Sequence, residues 1–235
     1  MNHTHLFKSM TFDNKDRFKS PTVTTHYFTP QPLNRDAKGA GSPTAISPLE
    51  QEAHWTTARA HGHTLQLATG AGVFAKAGLD AGSQLLLETA TLDRATSICD
   101  LGCGWGALGC FAATIAPQSY VWMCDINLRA VVLARLNLKQ NNIHNATTWC
   151  GDGLSGVRPD VFDTVLCNPP VRAGNTVIAK LFDDAHRCLK SQGSLWVVLR
   201  TAQGAKSWQR RLQEQFGNCA TIDMAHGYRI LKSIK

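Results

Sequence analysis

The chain has 235 residues, of which 43% are hydrophobic and 17% are charged, and its formal net charge is +7. These values are typical of a globular protein with one medium-sized core, and they exclude a fibrous or wholly disordered chain. No apolar run approaches the roughly 20 residues that span a bilayer, and the first residues lack an apolar secretory core. We therefore expect a cytoplasmic protein without a membrane partner.

The cysteines and histidines indicate neither disulfides nor a metal site. The eight cysteines include no C-x-x-C pair, and most lie in predicted strands, which is typical of buried, reduced thiols. Six histidines fall within residues 1–63, but no pair spaced four residues apart lies on a convincing helix. We expect no bound metal.

Residues 1–61 differ in composition from the rest of the chain. Five prolines interrupt them, and residues 37–43 have the composition of a flexible linker. We expect weak order up to about residue 52. The predicted organisation is an N-terminal extension over residues 1–61, partly disordered or docked, followed by one domain over residues 62–235.

From residue 64 the chain alternates between strand and helix patterns. Residues 64–67 alternate as a strand, with residues 71–74 as the expected hairpin partner, and residues 81–90 favour a helix. Further strands are predicted at 97–101, 120–124, 147–150, 161–167, 195–199, 220–224 and 228–232. Further helices are predicted from the glycine turn to near Pro117, and at 128–139, 183–189 and 205–216. This order predicts an α/β fold with a doubly wound, Rossmann-like, seven-stranded, mostly parallel sheet and an antiparallel hairpin at one edge.

Glycines and acidic residues follow the first three strands of this predicted sheet. The spacing Gly102-x-Gly104-x-x-Ala107 satisfies a dinucleotide-binding fingerprint, and Asp125 ends the next strand, where a carboxylate can accept from both ribose hydroxyls. Asp152 follows the third strand and can accept from an adenine amine. These residues suit either NAD or S-adenosylmethionine.

The fourth strand runs directly into Asn168-Pro169-Pro170. Because proline fixes φ, has no N–H and disfavours a helical residue before it, the chain leaves the strand extended and exposes carbonyl acceptors. The Asn168 side-chain oxygen and the Pro169 main-chain oxygen can together accept from one NH₂ group, which favours its pyramidal, nucleophilic form. A simple turn is the alternative. Among these two cofactors, only S-adenosylmethionine uses all four strand ends, since a NAD dehydrogenase leaves Asn168-Pro169-Pro170 without a role.

These motifs resemble the class I S-adenosylmethionine methyltransferases, and within them the small-subunit ribosomal RNA guanine 2-amino methyltransferases of the RsmC type. Residues 72–87 are similar to the segment that precedes the glycine loop in that family, and residues 168–174 are similar to its short members. The resemblance covers roughly residues 62–235. It implies a methyltransferase fold, S-adenosylmethionine as the cofactor, and catalytic Asn168, Pro169 and Pro170.

The resemblance also implies a cofactor site. Its expected members are Phe74, Asp80, Asp100, Gly102, Cys103, Gly104, Gly106, Asp125, Ile126, Asp152, Gly153 and Asn168. Many relatives have an aromatic residue where Val171 stands, so Phe74 is also our candidate for stacking on the target base, with a buried core position as the alternative.

The distribution of charge points to the partner. Residues 186–235 contain nine basic and two acidic side chains, whereas residues 63–185 contain eight basic and ten acidic ones. Lys206, Arg210 and Arg211 lie on or near one face of a predicted helix, which suits a phosphate backbone, although a solvated helix face is the plain alternative. Arg172 is better placed to touch the target nucleotide. We expect ribosomal RNA or a ribosomal subunit as partner; the sequence leaves the oligomeric state open.

The resulting prediction is methyl transfer from S-adenosylmethionine to the 2-amino group of a guanine in ribosomal RNA, with the small subunit favoured. A loop nucleotide or a flipped base is then required. The same chemistry on a protein glutamine amide or an adenine 6-amino group is an alternative, against which Val171 argues. A non-catalytic RNA-binding module is the third possibility, disfavoured because both halves of the site are intact.

Overall fold

The computed structural model of the chain describes residues 53–70 and 79–235. The strands in these ranges are β1 (His54–Ala60), β2 (His63–Thr69), β3 (Ser97–Leu101), β4 (Tyr120–Asp125), β5 (Ala146–Cys150), β6 (Phe162–Cys167), β7 (Leu189–Arg200), β8 (Ala220–Ala225) and β9 (Tyr228–Ile234). The α-helices are α1 (Ala81–Thr89), α2 (Ala107–Ile115), α3 (Leu128–Gln140), α4 (Asn175–Cys188) and α5 (Ala205–Phe216). Short 3₁₀ turns span Val171–Ala173 and Thr201–Gln203.

The central sheet has seven strands in the order β5-β4-β3-β6-β7-β9-β8. The first five are parallel, and β9 runs antiparallel to both β7 and β8. This arrangement confirms the predicted doubly wound sheet with its antiparallel edge hairpin. The direction of winding reverses between β3 and β6, and that reversal is the place where open α/β sheets bind their ligands.

Helices cover both faces of the sheet and bury two apolar cores. Helices α1, α2 and α3 pack on one face, and α4 and α5 pack on the other. Neighbouring residues of a strand point to opposite faces, so Ile98 belongs to the first core and Cys99 to the second. Burial on both faces explains why the parallel strands consist of nearly continuous apolar residues.

A separate two-stranded sheet precedes the domain core. β1 pairs with β2 in an antiparallel hairpin over seven residues on each strand. The sequence pattern missed β1 because only Ala58 and Ala60 of this strand are buried, and alanine gives a weak apolar alternation. The expected partner at residues 71–74 lies outside the described residues. The domain boundary expected after residue 61 falls within the hairpin turn and stays a prediction.

Two elements are longer than predicted. Helix α4 begins at Asn175, directly after Gly174 at a φ of 97° and eight residues before the predicted start at 183. Its buried residues Ile178, Leu181, Phe182 and Ala185 recur at helical spacing, so the sequence carried a signal that the prediction did not use. Strand β7 begins at Leu189, but its pairing with β6 is irregular between Phe162 and Thr164. The irregularity falls in a polar stretch that resembles a turn in sequence.

Asn137 connects the small hairpin to the main domain. This α3 side chain is fully buried, and its Nδ2 donates to the carbonyls of Ala68 at 3.0 Å and Trp105 at 2.8 Å. Its Oδ1 accepts from the Ala68 N–H. One amide therefore satisfies backbone groups of β2 and of the loop that follows β3.

Asn137→Ala should destabilise the fold by about 2–4 kcal/mol, because three buried backbone groups lose their partner. Urea denaturation measures this change. Arg135→Ala, which changes an exposed side chain of the same helix, is the control and should shift stability by less than about 0.5 kcal/mol. Equal stability of the two variants would show that Asn137 does not tie the hairpin to the domain.

Candidate active site

A cavity of about 560 Å³ lies at the carboxyl ends of the parallel strands. Its position follows from the pairing of β3 with β6, in which Asp100 lies opposite Leu166. Gly102 lies two residues after Asp100, and Asn168 lies two residues after Leu166. The glycine loop and the Asn-Pro-Pro turn therefore leave the sheet side by side. Both segments line the cavity.

Backbone hydrogen bonds shape the loop that follows β3. The N–H groups of Gly102 and Cys103 donate to the Cys124 carbonyl at 2.9 and 2.8 Å. Gly104 N–H donates to Asp125 Oδ2 at 2.8 Å, and its left-handed φ of 55° suits glycine. No heavy atom lies within 4 Å of the position that a Cβ on Gly104 would occupy, so the loop leaves open space for a ligand.

Gly106 differs from the other residues expected to bind the cofactor, because it does not line the cavity. It precedes α2 at a φ of 86°, and a Cβ there would lie 2.6 Å from the Met123 methyl group and 2.7 Å from the Ala134 Cβ. The structure therefore gives Gly106 a packing role between the loop, β4 and α3.

One buried and one partly buried carboxylate line the cavity. Asp100 is only 1% exposed, and burial raises the pKa of its carboxyl to about 7. It accepts from the Gly109 backbone N–H, but among the described residues its Oδ2 has no hydrogen-bond partner. Burial also raises the pKa of Asp125, which accepts from the N–H groups of Gly104 and Asn127, both at 2.8 Å.

The remaining predicted cofactor residues that the structure describes also line the cavity. Asp152 is 62% exposed and pairs with Lys180, whose Nζ lies 3.3 Å from Oδ1. Gly153, Cys103 and the half-exposed Ile126 complete this part of the wall. Burial raises the pKa of the Cys103 thiol, which keeps it protonated and unreactive.

The Asn168 side chain is held in one orientation. Its Nδ2 donates to Ser83 Oγ at 2.9 Å and faces the Asp80 carboxylate at 3.3 and 3.5 Å. Because a carboxylate only accepts hydrogen bonds, the amide nitrogen must face Asp80 and the Oδ1 acceptor must point the opposite way. Asp80 Oδ1 also caps α1 by accepting from the N–H groups of Gly82 and Ser83.

The predicted RNA-contacting residues fall into two groups. Arg172 is exposed and lines the cavity. Lys206, Arg210 and Arg211 lie on α5 and do not line it. All three are exposed, and the Arg211 guanidinium carbon lies 5.0 Å from the Trp208 ring centroid. Phe74 lies outside the described residues.

Three residues of this site carried no usable sequence signal. Ser83 sits in the first turn of α1 and contacts Asn168 from 85 positions away in the chain. Arg200 and Tyr228 face each other across β7 and β9, and both line the cavity. A motif search detects short spacings along the chain, so it does not detect contacts that depend on strand pairing.

Comparison with known proteins agrees with this geometry. A family model described as methyltransferase small domain matches residues 64–232. The chain is 36% identical over 166 residues to the uncharacterized protein YbxB of Bacillus subtilis, covering 70% of this chain and 83% of that protein. It is 37% identical over 172 residues to ribosomal RNA large subunit methyltransferase G of Klebsiella pneumoniae, covering 70% of this chain but only 45% of that protein.

A solved structure is also similar. The 16S rRNA N2 methyltransferase RsmC of T. thermophilus, in complex with AdoMet and guanosine, superposes with a TM-score of 0.70 at 25% identity. The match covers 80% of this chain and 52% of RsmC. The chain therefore spans about half the length of RsmC, as it does of the Klebsiella relative.

The fold and the acid-lined cavity define an S-adenosylmethionine-dependent methyltransferase. The chain belongs to the methyltransferase small domain family, whose model matches most of its length. The cavity fits the cofactor chemically, because the unpartnered Asp100 Oδ2 can receive an ammonium and the Asp125 carboxylate has acceptor capacity left for ribose hydroxyls.

Two further findings concern residues 53–70 and 79–235. No helix in these ranges is long and apolar enough to cross a membrane. The same ranges contain no group of three or more His, Cys, Asp or Glu side chains placed to hold a metal ion.

Cofactor affinity should rise by about tenfold or more between pH 5.5 and pH 7, if Asp100 pairs with the ammonium of the cofactor. The Asp100 pKa is raised to about 7, so the carboxyl is mostly protonated at pH 5.5 and must lose its proton to bind a cation. Raising the pH removes this cost. Titration calorimetry with S-adenosylmethionine across this range measures the effect.

The control is Asp100→Asn, which keeps the side-chain shape and an acceptor for Gly109 N–H but does not titrate. Its affinity should be lower and should vary little over the same pH range. A wild-type affinity that stays constant across the range would show that Asp100 does not pair with the cofactor.

Proposed function

We propose that this protein transfers the methyl group of S-adenosylmethionine to the 2-amino group of a guanine in ribosomal RNA, with the small subunit favoured. One observation carries the proposal: Asn168 shares a cavity with the acidic cofactor wall, and its amide orientation leaves Oδ1 without a hydrogen-bond partner among the described residues. An acceptor at this position suits a substrate that presents an amine.

The chemistry of an exocyclic amine explains why acceptors suffice. Its lone pair is delocalised into the base, so the free amine is planar and a poor nucleophile. When bound, S-adenosylmethionine supplies a methyl carbon on a positively charged sulfur. Asn168 Oδ1 and the Pro169 carbonyl accept from the two amine hydrogens, which aligns the nitrogen and favours its pyramidal form. The C–N bond forms as the C–S bond breaks, and the nitrogen then loses one proton.

The named relatives support RNA as the substrate. RsmC is a 16S rRNA N2 methyltransferase with guanosine in its structure, and the Klebsiella relative is a large-subunit rRNA methyltransferase. The structural likeness to RsmC covers more of this chain, which favours a small-subunit guanine.

Nucleoside mass spectrometry tests the substrate. Small- and large-subunit ribosomal RNA should be digested separately from cells with and without the gene. We expect loss of one N2-methylguanosine from the small-subunit RNA. Loss of N2-methylguanosine from the large-subunit RNA would instead assign the large subunit with the same chemistry. Loss of a methylated adenosine, or unchanged nucleosides in both RNAs, would overturn the guanine assignment.

Asn168→Ala should slow methyl transfer by roughly a hundredfold or more while cofactor affinity changes little, because it removes an acceptor that matters most for the pyramidal amine. Single-turnover rates at saturating cofactor, with the RNA identified above, measure this effect. Near-normal turnover would rule out the amine-gripping role of Asn168.

Asp80→Asn keeps the cap of α1 and tests whether the Asp80 carboxylate orients the Asn168 amide. Asparagine caps a helix about as well as aspartate, so the fold should be unchanged. However, the side-chain amide introduced at position 80 can donate as well as accept, so the Asn168 amide can adopt either orientation. We therefore expect a rate loss of about tenfold, smaller than that of Asn168→Ala. Ser83→Ala should act in the same direction.

Substitution of Lys206 and Arg210, two of the three exposed cations of α5, tests the RNA surface. If Lys206 and Arg210 contact phosphates, Lys206→Gln with Arg210→Gln should reduce the slope of log affinity against log salt by about 1.4–1.8. Filter binding at several salt concentrations gives the slope. Cofactor affinity should not change.

Arg211→Gln is the matched control, because the guanidinium of the exposed Arg211 already lies against the Trp208 ring. It should reduce the slope less than either of the other two substitutions. If the double variant keeps the wild-type slope, the α5 cations are only a solvated helix face.

A further inference from the structure

Arg200 and Tyr228 form a fixed pair at the cavity wall. Arg200 is the last residue of β7, and it lies opposite Tyr228 at the start of β9. Its Nε donates to Tyr228 Oη at 3.0 Å, and its guanidinium carbon lies 4.8 Å from the centre of the Tyr228 ring. Hydrogen bond and stacking together restrict a side chain that is otherwise exposed.

Tyr228 is itself held by the helix that orients Asn168. A Cβ on Gly82 would lie 2.7 Å from Tyr228 Cε1, so the ring packs directly on the first turn of α1. Ser83, the next residue, accepts from Asn168 Nδ2. One turn of helix therefore supports both Asn168 and the Arg200–Tyr228 pair.

The strand register gives the spacing between Arg200 and Asn168. Cys167 of β6 lies opposite Val197 of β7, so Asn168 is level with Val198 and Arg200 lies two residues beyond it. At about 3.3 Å per residue, the backbone of Arg200 is about 7 Å further along and one strand to the side. This spacing is comparable with the width of a purine.

The terminal amino groups of Arg200 remain available to a ligand. Within the described part of the chain no acidic side chain pairs with Arg200, and Nε makes its bond to a neutral hydroxyl. A planar fork of free N–H donors, facing a cavity, matches two neighbouring acceptors on one ligand.

We propose that Arg200, positioned by Tyr228, binds the O6 and N7 acceptors of the target guanine while Asn168 and Pro169 hold its 2-amino group. The inference rests on the proposed function and adds the contact that selects the base. Arginine pairs with O6 and N7 of guanine in a bidentate way, and an unpaired base presents this edge freely. Adenine carries an amine donor where guanine carries O6. The amine hydrogens of adenine would therefore face the N–H donors of the guanidinium, and no hydrogen bond could form there.

RNA that lacks the N7 acceptor tests this contact. The ribosomal RNA identified by nucleoside analysis is transcribed with either guanosine or 7-deazaguanosine, and the single-turnover methylation rates of wild type, Arg200→Gln and Arg210→Gln are compared. Wild type should be about 5- to 50-fold slower on the 7-deazaguanosine RNA. Arg200→Gln should be slow on both RNAs, with rates that agree within about twofold. Arg210→Gln should keep the wild-type ratio.

Two results would overturn the inference. The first is equally fast methylation of both RNAs by wild type. The second is an Arg200→Gln variant that keeps the wild-type ratio of the two rates; a salt slope reduced by about one in that variant would then assign Arg200 to a phosphate. Tyr228→Phe, which loses only the bond to Nε, should give an intermediate ratio. A wild-type enzyme that methylates no guanine in either RNA would instead refute the proposed function itself.

Discussion

The pairing of β3 with β6 is the constraint on which the rest of the site depends. These two strands lie where the sheet reverses its winding, and their ladder joins Ile98, Cys99 and Asp100 to Thr164, Val165 and Leu166. A slip of one residue would turn every side chain of β6 to the other face and move Asn168 away from the glycine loop. Burial of both strands on both faces makes such a slip costly, so the fold core sets the position of the site.

Charge divides the cavity into two regions. Asp100 and Asp125 lie in its interior, and burial raises the pKa of both. Arg172 and Arg200 line the cavity with exposed side chains, and the exposed cations of α5 follow shortly after Arg200 in the chain. Interior carboxylates suit a cationic cofactor, and an exposed basic rim suits a polyanion. The separation keeps the two ligands from competing for the same groups.

Helix α1 has a role beyond packing. Its cap, Asp80, and its first turn contact Asn168 through a carboxylate and a hydroxyl, and the same turn supports the ring of Tyr228. A short helix whose apolar residues are buried is a rigid support, so the orientation of the Asn168 amide does not depend on a mobile loop. The orientation of the Asn168 amide is thus set by the fold itself.

The sequence by itself determined most of the elements and the strand-end motifs of this protein. Periodicity predicted the order of strands and helices, and the Asn-Pro-Pro turn, the glycine loop and the acidic strand ends predicted where a cofactor and an amine meet, because these signals are local in the chain. The partner of β2, the packing role of Gly106, the support of Asn168 by Ser83 and the Arg200–Tyr228 pair were decided only by tertiary structure. Each of these depends on which strands pair and in which register. That is a property of the whole packed core, and no short stretch of residues encodes it.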